Sequence, residues 1–476
     1  MVKRLALLLV LVLLVGSSVH TTLPLRAEGK TIIVPDDYPT VSSAVKNAID
    51  GDTVFIKNGT YETINQTLVI NKSITLQGEN SETTTINLNP PLIPKALFSY
   101  TYMGSDDALK IQANNVKITG LTLKTGGGTI TIDGQSIEIT NNNIDAGLFA
   151  NGMYIKISNN TWNTPYYSGI PTQRYSVTFS GSHYEILNNT LNGIYSSASH
   201  SIIAANNITG TEIADLVLIK NDSNIIYGNN INADGMVGIT LGGVSEAIIA
   251  KNVLDNSGIQ ISASNSIISG NIIKNNDNII KSYMGICVSE GRDNIFSGNQ
   301  IENNTRGICF GYDQTDIARE RNGPNTVNNT VFHNNFINNK QQAQDWNWLG
   351  TNQWSKDKEG NYWSDYKGFD WNFDGIGDSP YRLEETVSYY AETTQSIDLH
   401  PLMTPFNIKD IAIDLPEWAT SIFENIEAPD INPEKPTATF PMTLTIIIIV
   451  LTAICMIIIT GFVYFIKTNK KQIVKI

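Results

Sequence analysis

Apolar and polar positions alternate along most of this chain, and between residues 222 and 304 the same short sequence motif recurs. Each copy has an alternating apolar segment, a small residue, an Asn, and an apolar residue two positions later. Counting earlier and later copies, the repeated residues are Asn142, Asn160, Asn189, Asn206, Asn229, Asn252, Asn271, Asn299 and Asn335. The interval between repeats averages about 22 residues but varies from copy to copy. Such an irregular period is typical of a solenoid whose coils share one cross-section and differ in loop length.

The alternation favours strands over helices. Apolar residues recur at every second position, and Gly, Asn and Ser interrupt too often for the i, i+3, i+4 pattern of an amphipathic helix. A second column of Gly-Ile pairs, at Gly193, Gly238, Gly258, Gly285 and Gly307, keeps phase with the Asn column. We predict an all-β fold: a right-handed single-stranded parallel β-helix of about a dozen coils, with Ile stacks inside and Asn ladders at the turns.

The start of the repeat region predicts a cap. A strand at 32–34 precedes a short amphipathic helix, apolar at positions 41, 44, 45, 48 and 49, and a strand at 51–56 follows. This order resembles the N-terminal cap of pectin-lyase-like β-helices, in which the helix plugs the open end. A plug is needed because the first coil would otherwise expose its apolar interior.

A different module follows the coils. Five of the seven Trp residues fall between Trp346 and Trp371, and the module closes with His400-Pro-Leu-Met403. This stretch resembles the C-terminal signature of NosD-type β-helix proteins, a family whose members are extracytoplasmic. The resemblance covers about residues 31–405, which we divide into a β-helix with its cap (31–345) and an aromatic, acidic C-terminal cap (346–405). The Trp residues form either the core of that cap, which we favour, or an exposed platform for sugars.

The flanking segments predict a membrane protein. Residues 1–27 have the basic start and short apolar run of a signal peptide, or of a retained anchor. Residues 406–440 are acidic and contain Pro, as in a stalk. Residues 442–466 are long and apolar enough for a transmembrane helix, and the Lys-rich segment 467–476 would be the cytoplasmic tail. We expect a single-pass type I protein of the cell membrane, with its ectodomain extracytoplasmic.

The amino-acid composition limits the classes of molecule that the protein can bind and the covalent links that it can form. The formal charge is −13, so nucleic acid is not expected as a partner, because phosphate binding requires a basic surface. Three Cys are too few for a disulfide framework. Cys287 and Cys309 occupy the same slot of neighbouring coils and are expected to point outward, either as stacked free thiols, which we favour, or as a disulfide. Nine Asn-x-Ser/Thr sequons are candidates for glycosylation.

One segment has the spacing of a metal site. Asp370, Asn372, Asp374, Ile376 and Asp378 match ligand positions of an EF-hand-type loop, with Gly375 at the sixth place and the Ile376 carbonyl at the seventh. The twelfth place holds Tyr instead of the usual Glu. We predict a structural Ca²⁺ site; the alternative is that these side chains cap turns.

The resemblance also raises the question of copper, to which the NosD family's name refers. Outside the predicted signal peptide the chain has His183, His200, His333 and His400. His183 and His200 each precede a repeat Asn by six residues and should stack on adjacent coils. Two His without a third ligand do not make a copper site, so we do not expect copper binding.

Catalytic candidates are weak. The longest interval between repeat Asn residues contains Asp313, Asp316, Arg319 and Arg321, which combine carboxylates with basic groups as polysaccharide lyases and hydrolases require. These residues match no catalytic signature, and solvated loop charges explain them equally well. Fold alone does not establish an activity.

The sequence therefore favours a surface protein that binds or scaffolds, with a glycan or a surface protein as its partner. A polysaccharide-active lyase or hydrolase is the alternative from another class. A third hypothesis, an accessory factor for maturation of a copper enzyme, follows only from the NosD resemblance.

Overall fold

The structure is a computed structural model, and contacts group the chain into two compact units, Met1–Ile431 and Asn432–Ile476. The structure describes residues 29–90, 107–163, 175–210, 215–276, 284–311, 326–346, 351–383, 396–424, 426, 456 and 458–460. All but the last four of these residues belong to the first unit, with which the following paragraphs deal.

Three parallel sheets run along the first unit, and the chain passes from the first to the second to the third sheet in each coil. The first sheet contains β1 (Thr31–Val34), β2 (Thr53–Ile56), β5 (Thr75–Gly78), β8 (Lys117–Thr119), β10 (Glu138–Thr140), the ends of β11 (Asn143–Ser158) and β13 (Val177–Leu187), β16 (Ile202–Ala204), β19 (Ile225–Tyr227), β22 (Ile248–Ala250), β25 (Ile267–Ser269), β28 (Ile295–Ser297) and β32 (Thr330–Phe332). The second contains β3 (Gly59–Ile64), β6 (Thr84–Asn89), the starts of β9 (Thr122–Gln135) and β11, β12 (Thr161–Trp162), β14 (Thr190–Leu191), β17 (Asn207–Thr209), β20 (Asn230–Asn232), β23 (Val253–Asp255), β26 (Ile272–Lys274), β29 (Gln300–Glu302), β33 (Asn335–Ile337) and β35 (Tyr362–Trp363).

The third sheet contains β4 (Leu68–Ile70), β7 (Asp107–Ile111), later parts of β9 and β11, the start of β13, β15 (Ile194–Ser199), β18 (Asp215–Ile219), β21 (Val237–Ser245), β24 (Gly258–Ser264), β27 (Ile286–Arg292), β30 (Arg306–Phe310) and β34 (Gln341–Asp345). Beyond these, β31 (Thr326–Val327) pairs with the end of β27, and β36 (Tyr381–Arg382) pairs antiparallel with β37 (Ile397–Asp398). Among the described residues the three-sheet order repeats twelve times between Thr53 and Asp345. The predicted parallel β-helix of about a dozen coils is confirmed.

The interior is a set of apolar columns. In the first sheet Ile203, Ile226, Ile249, Ile268 and Phe296 are register partners on successive coils, and each is fully buried. Each buried side chain of this size contributes roughly 1.5–3 kcal/mol of transfer free energy. The sequence alternation therefore encodes one continuous core, as expected.

The Asn column is a hydrogen-bonded ladder. The Asn252 Oδ1 atom accepts from both the backbone N and the Nδ2 atom of Asn229, each at 2.9 Å. Its own Nδ2 atom donates to the Ile226 carbonyl and to Asn271 Oδ1. One expected member is wrong: Asn334, not Asn335, continues the ladder from Asn299. The other eight predicted members lie in the ladder and are buried.

The ladder ends on a buried carboxylate. After Asn361, the Asp398 Oδ2 atom accepts from the Asn361 backbone N at 2.8 Å, from its Nδ2 at 3.3 Å, and from the Trp363 Nε1 atom at 2.9 Å. The His400 backbone N donates to the other oxygen at 3.0 Å. A carboxylate suits this last position because it accepts hydrogen bonds and has no amide hydrogens that would need a further coil.

A second ladder, at the start of the first sheet, ends the same way. It runs through Ser266, Asn294, Asn329 and Asn352, and the Nδ2 atom of Asn352 donates to both oxygens of Asp345 at 3.2 and 3.3 Å. The Asp345 carboxylate is 4% exposed and also accepts from Ser396 Oγ at 2.9 Å. Both ladders therefore end on acceptors supplied by or near the C-terminal cap.

The N-terminal end is closed by helix α1 (Val41–Asn47), as predicted. The Thr40 side chain caps it by accepting from the Ser43 backbone N at 3.1 Å. Val41, Ala44 and Val45 belong to the main core, together with Ala48. The prediction for position 49 is wrong, because Ile49 is 56% exposed beyond the end of the helix.

The aromatic module closes the other end. The Trp363 ring lies between Phe336 of the last full coil and Tyr381, at centroid distances of 4.4 and 4.1 Å, and both pairs are stacked. Trp354 packs edge-on against Phe310 at 5.7 Å. Both Trp side chains are almost fully buried, so for these two the favoured prediction, a cap core, is confirmed.

Residues 406–424 and 426, which we call the C-terminal strap, are not a free stalk. Phe406 exchanges two backbone–side-chain hydrogen bonds with Asn335 and stacks on His333 at 4.3 Å. A 3₁₀ helix (Ile408–Asp410) and helix α2 (Glu417–Phe423) follow. Ala419 of α2 is fully buried against the outside of the first sheet. The described part of the predicted stalk is therefore corrected: it packs on the β-helix.

The first sheet shows why the strap packs there. Its outward column reads Lys117, Glu138, Lys156, Glu185, Ile202, Ile225, Ile248 and Ile267. Lys and Glu pair along the axis at 3.1 and 3.4 Å, and then the column becomes apolar. The Ile residues form a second core with strap residues, including Trp418, Ile422 and Phe423. The strap thus covers apolar surface that water would otherwise contact.

Several predicted segments lie outside the described residues. These are the signal peptide 1–27, the stalk beyond 426, the cytoplasmic tail 467–476, and all of the transmembrane segment 442–466 except four residues. Within the part of the chain that the structure describes, no helix has the length and apolar character to cross a membrane.

Replacing Asn252 with Ala should destabilise the coils. The change removes the acceptor of the Asn229 backbone N and of one Asn229 Nδ2 hydrogen, and it removes the donor to the Ile226 carbonyl. We expect a loss of at least about 2 kcal/mol. Urea unfolding and amide hydrogen exchange around coils 229–271 measure it, since long repeats need not unfold in two states. The exposed Asn230→Ala is the matched control, expected within about 0.5 kcal/mol of wild type. Equal losses in both variants would contradict the ladder.

Asp398 should give the cap a pH-dependent stability. Burial raises the pKa of this carboxyl above its ordinary 3.8, while hydrogen bonds from Trp363 and Asn361 act the other way. With a raised pKa the folded state holds the proton more tightly, so stability falls as pH rises from about 3.8 through the folded pKa. Relative to Asp398→Asn, wild type should gain free energy of unfolding as pH is lowered from 7 toward about 4. Urea unfolding across this range checks it; a constant difference would refute it.

Candidate functional site

The strap packs on the outer face of the first sheet, whereas the candidate site lies on the third sheet. A groove of about 290 Å³ lies on the outside of the third sheet and crosses five neighbouring strand segments, those of β7, β9, β11, β13 and β15. It is lined by Asp107, Lys110, Thr131, Ile132, Asp133, Phe149, Ala150, Asn151, Thr178, Phe179, Ser180 and Ser197.

The parallel register builds the groove from two rows of outward side chains. Lys110, Thr131, Phe149 and Thr178 are register partners on successive strands. Asp133, Asn151, Ser180 and Ser197 form the neighbouring row two positions further along each strand. Because strands are about 4.8 Å apart, each row presents a side chain at that spacing along the axis.

The polar groups are partly engaged with one another. Ser180 Oγ donates to Asn151 Oδ1 at 3.1 Å, and the Lys110 ammonium lies 3.7 Å from the Asp107 carboxylate. The Thr131 Oγ1 atom is shielded by protein and has no hydrogen-bond partner among the described residues. A shielded hydroxyl without a partner is costly.

Aromatic rings lie at and beside the groove. Phe149 is half-buried in the first row, and Tyr195 continues the same row on β15. The Tyr175 and Tyr195 rings are 5.8 Å apart. Apolar ring faces beside hydroxyl, amide and carboxylate groups make a surface that matches molecules with both apolar and polar faces.

The predicted Ca²⁺ loop forms a tight turn. Asp370 accepts from the backbone N atoms of Asp374 at 3.2 Å and Gly375 at 2.8 Å, and Asp374 accepts from Ile376 N at 2.9 Å. Asn372 Nδ2 donates to Asp374, and Asp378 accepts from Trp371 N at 2.6 Å. Within the described residues no group of three or more His, Cys, Asp or Glu is gathered as a metal site. The carboxylates serve as turn caps here, and their use as Ca²⁺ ligands stays a prediction.

The aromatic residues of this turn differ from those of the cap core. Trp371 is 75% exposed and Phe373 is 89% exposed. The Phe369 and Trp371 rings are 5.5 Å apart. The two interpretations of the Trp residues therefore apply to different residues: Trp354 and Trp363 are core, and Trp371 is on the surface.

His183 and His200 stack as predicted, with ring centroids 5.5 Å apart. The Trp418 ring of the strap lies 5.7 Å from His200 and 6.5 Å from His183, and Tyr154 lies 4.9 Å from His183. Burial lowers the pKa of His183, and the neighbouring His200 lowers it further. The pair is therefore part of the strap contact, beside the rings of Trp418 and Tyr154.

Cys287 and Cys309 are register partners on β27 and β30, and both are free thiols. The favoured prediction of two free thiols agrees with the structure, in which Cys309 is fully buried and Cys287 is half-buried. Burial raises the pKa of Cys287 to about 11 and that of Cys309 further, so neither is a reactive thiolate.

The catalytic candidates Asp313, Asp316, Arg319 and Arg321 lie outside the described residues. The groove residues escaped sequence reasoning because they come from coils about 20 residues apart and form no local motif. The available signal was the period itself: Phe149, Asn151, Thr178 and Ser180 are outward positions beside buried ones in the same alternation.

Comparisons with known proteins agree with this architecture. Residues 230–368 match the family model described as "Periplasmic copper-binding protein (NosD)". The "Probable ABC transporter binding protein NosD" of Stutzerimonas stutzeri is 24% identical over 216 residues, 45% of this chain and 43% of that protein. The protein of the same name from Pseudomonas aeruginosa is 28% identical over 158 residues, 33% of this chain and 34% of that protein. The chain thus matches less than half the length of these relatives.

Solved structures with similar backbones include a Dettilon tailspike protein (TM-score 0.49, 15% identity, 68% of this chain and 70% of that one). A PL6-family alginate lyase gives a TM-score of 0.47 at 14% identity, over 82% of this chain and 59% of that one. The catalytic domain of a GH87 α-1,3-glucanase gives 0.48 at 15% identity, over 71% and 70%. The twelve-coil register shows a parallel β-helix. Residues 230–368 are similar to the NosD family, and so are the two relatives described above.

Proposed function

We propose that this protein is a membrane-anchored, extracytoplasmic binding protein that holds a polysaccharide along the outer groove of its third sheet. The observation that carries the proposal is the composition of the groove, a half-buried Phe149 beside rows of hydroxyl, amide and carboxylate side chains. Sugar rings have an apolar face and a polar rim, and such a lining complements both.

The shape of the scaffold favours a polymer over a small ligand. The two rows continue over four and five strand segments at a spacing of about 4.8 Å, so successive units of a chain would each lie over a new pair of outward side chains. Tight coil packing keeps these rows fixed, which lowers the entropic cost of binding an extended molecule.

Binding is favoured over cleavage by the described part of the groove. Its two carboxylates are Asp107, which is paired with Lys110, and Asp133, which is exposed. Glycoside hydrolysis needs two carboxyl groups with distinct acid and base roles, and these two residues have no such arrangement of partners. A protein ligand in place of a glycan is an outcome that the test below would reveal.

The cellular location rests on sequence. The apolar segment 442–466 followed by Lys residues supports an anchor with its tail in the cytoplasm, and the apolar run before residue 27 supports export. The family model's description as periplasmic supports an extracytoplasmic β-helix.

A structural Ca²⁺ site at Asp370, Asn372, Asp374, Ile376 and Asp378 is part of the proposal. The carboxylates of Asp370 and Asp374 lie on one tight turn, and the spacing of the five residues is what supports a Ca²⁺ site there. Backbone hydrogen bonds from Gly377 to Pro401 and from Met403 to Gly375 connect the turn to the closing segment of the cap. Bound Ca²⁺ would therefore stabilise the cap.

Replacing Phe149 with Ala should weaken glycan binding about tenfold or more, because a central aromatic contact is worth on the order of 1–2 kcal/mol. The full chain in detergent micelles is screened on a glycan array, and hits are measured by calorimetry. Phe369→Ala, which removes an exposed ring (56%) on the acidic turn, is the matched control and should bind as wild type does.

Two results would count against the proposal. One is a wild-type protein that binds no glycan on the array, or that captures only protein ligands. The other is an equal loss for Phe149→Ala and Phe369→Ala, which would place binding elsewhere. Thermal unfolding of each variant confirms that the coils remain folded.

Ca²⁺ should raise the melting temperature of the protein, and EDTA should lower it again, because a ligand of the folded state alone stabilises it by mass action. Asp374→Ala should remove the difference between the two conditions, whereas the exposed Asp357→Asn should retain it. If Asp374→Ala lowers the melting temperature equally with Ca²⁺ and with EDTA, the carboxylate is only a turn cap.

A further inference from the structure

The charge of the groove limits which polysaccharide it can hold. Among its described lining residues, Lys110 is the cation, and it lies 3.7 Å from the Asp107 carboxylate. Asp133 is the second carboxylate; it is exposed and forms no ion pair with a described residue. The described lining therefore has a surplus of negative charge in a chain whose formal charge is already −13.

A polymer of uronic acids fits this lining poorly. Each of its units brings a carboxylate, and recognition of carboxylates relies on Arg or Lys placed to pair with them. In the groove the described cation is already engaged with Asp107, so a polyuronate would meet the carboxylate of Asp133 without a compensating positive charge. Like charges at close range disfavour such a complex.

Uncharged and amine-bearing sugars meet no such penalty. The Asn151 side chain and the hydroxyls of Thr178, Ser180 and Ser197 can bond to sugar hydroxyls or amides. Asp133 stands in the same row, next to Asn151, where an ammonium group on a bound sugar would reach it. Such a contact is a charge-assisted hydrogen bond.

We propose that the ligand is a polysaccharide of uncharged or amine-bearing units, with Asp133 as the residue that selects positive over negative sugars. This inference rests on the proposed function and specifies its ligand. Asp133 acts on the charge of the ligand, and the ring of Phe149 acts on its apolar face, so the two residues affect binding independently.

The test compares three oligosaccharide series of equal length: glucosamine oligomers (cationic), N-acetylglucosamine oligomers (neutral) and oligouronates (anionic). Affinities for the full chain in neutral detergent are measured by calorimetry at low salt and at about 0.3 M salt, with and without EDTA. We expect the cationic series to bind on the order of tenfold more tightly than the anionic series, with the difference shrinking as salt increases.

Asp133→Asn should lower the affinity for the cationic series about two- to fivefold, because an exposed ion pair changes a dissociation constant by up to about fivefold. The affinity for the neutral series should stay unchanged. Asp234→Asn is the matched control: Asp234 is also an exposed carboxylate but lies outside the groove lining, and its replacement should change no affinity.

The outcomes separate this inference from the proposed function. Array hits that are uronates, or oligouronates that bind at least as tightly as glucosamine oligomers with or without EDTA, overturn the ligand class and leave polysaccharide binding in place. An affinity for the cationic series that is the same in Asp133→Asn as in the wild type overturns the role of Asp133. An array without any glycan hit overturns the proposed function itself.

Discussion

The structure depends on asparagine side chains that hydrogen-bond from coil to coil at the corners. A parallel coil must turn its backbone sharply three times, and each turn leaves amide and carbonyl groups pointing into the core. The ladder satisfies them: one Asn accepts two hydrogen bonds from its predecessor and returns one to a backbone carbonyl, as Asn252 does with Asn229 and Ile226. Without those bonds each corner would bury several unpaired groups, at about 1–3 kcal/mol apiece. With them, coils of different loop length keep one cross-section.

The interior is the same in every coil, so the outward residues can vary, and the outer faces of the first and third sheets have different properties. The first sheet changes from alternating Lys and Glu to Ile along one column, and its apolar part carries the chain's own strap. The third sheet keeps polar and aromatic residues outward and forms the groove. The same repeat thus produces one face that the strap covers and one that carries the groove. The two faces differ in the residues whose side chains point outward.

Much of the fold could be predicted because its signals are periodic. The Asn column gave the register, and the error at Asn335 arose where two Asn residues are adjacent and the spacing cannot tell which one turns inward. The strap was missed because Pro and acidic residues at 406–440 suggest a linker. The missed signal was the double Ile in Ile202-Ile203 and Ile225-Ile226: one points inward, so the other must be covered from outside. The groove is beyond local reasoning, because its residues meet only after the coils stack.

The carboxylates that finish the two ladders have a consequence for association between molecules. A repeating stack of this kind has a direction, since every rung offers acceptors to the rung before it and donors to the rung after it. Asp398 and Asp345 receive donors and offer none, so the stack terminates chemically as well as sterically. A second copy placed against this end would find no amide hydrogens with which to continue the columns. At these two columns the carboxylates therefore disfavour end-to-end continuation of the stack, to which open coils are intrinsically prone.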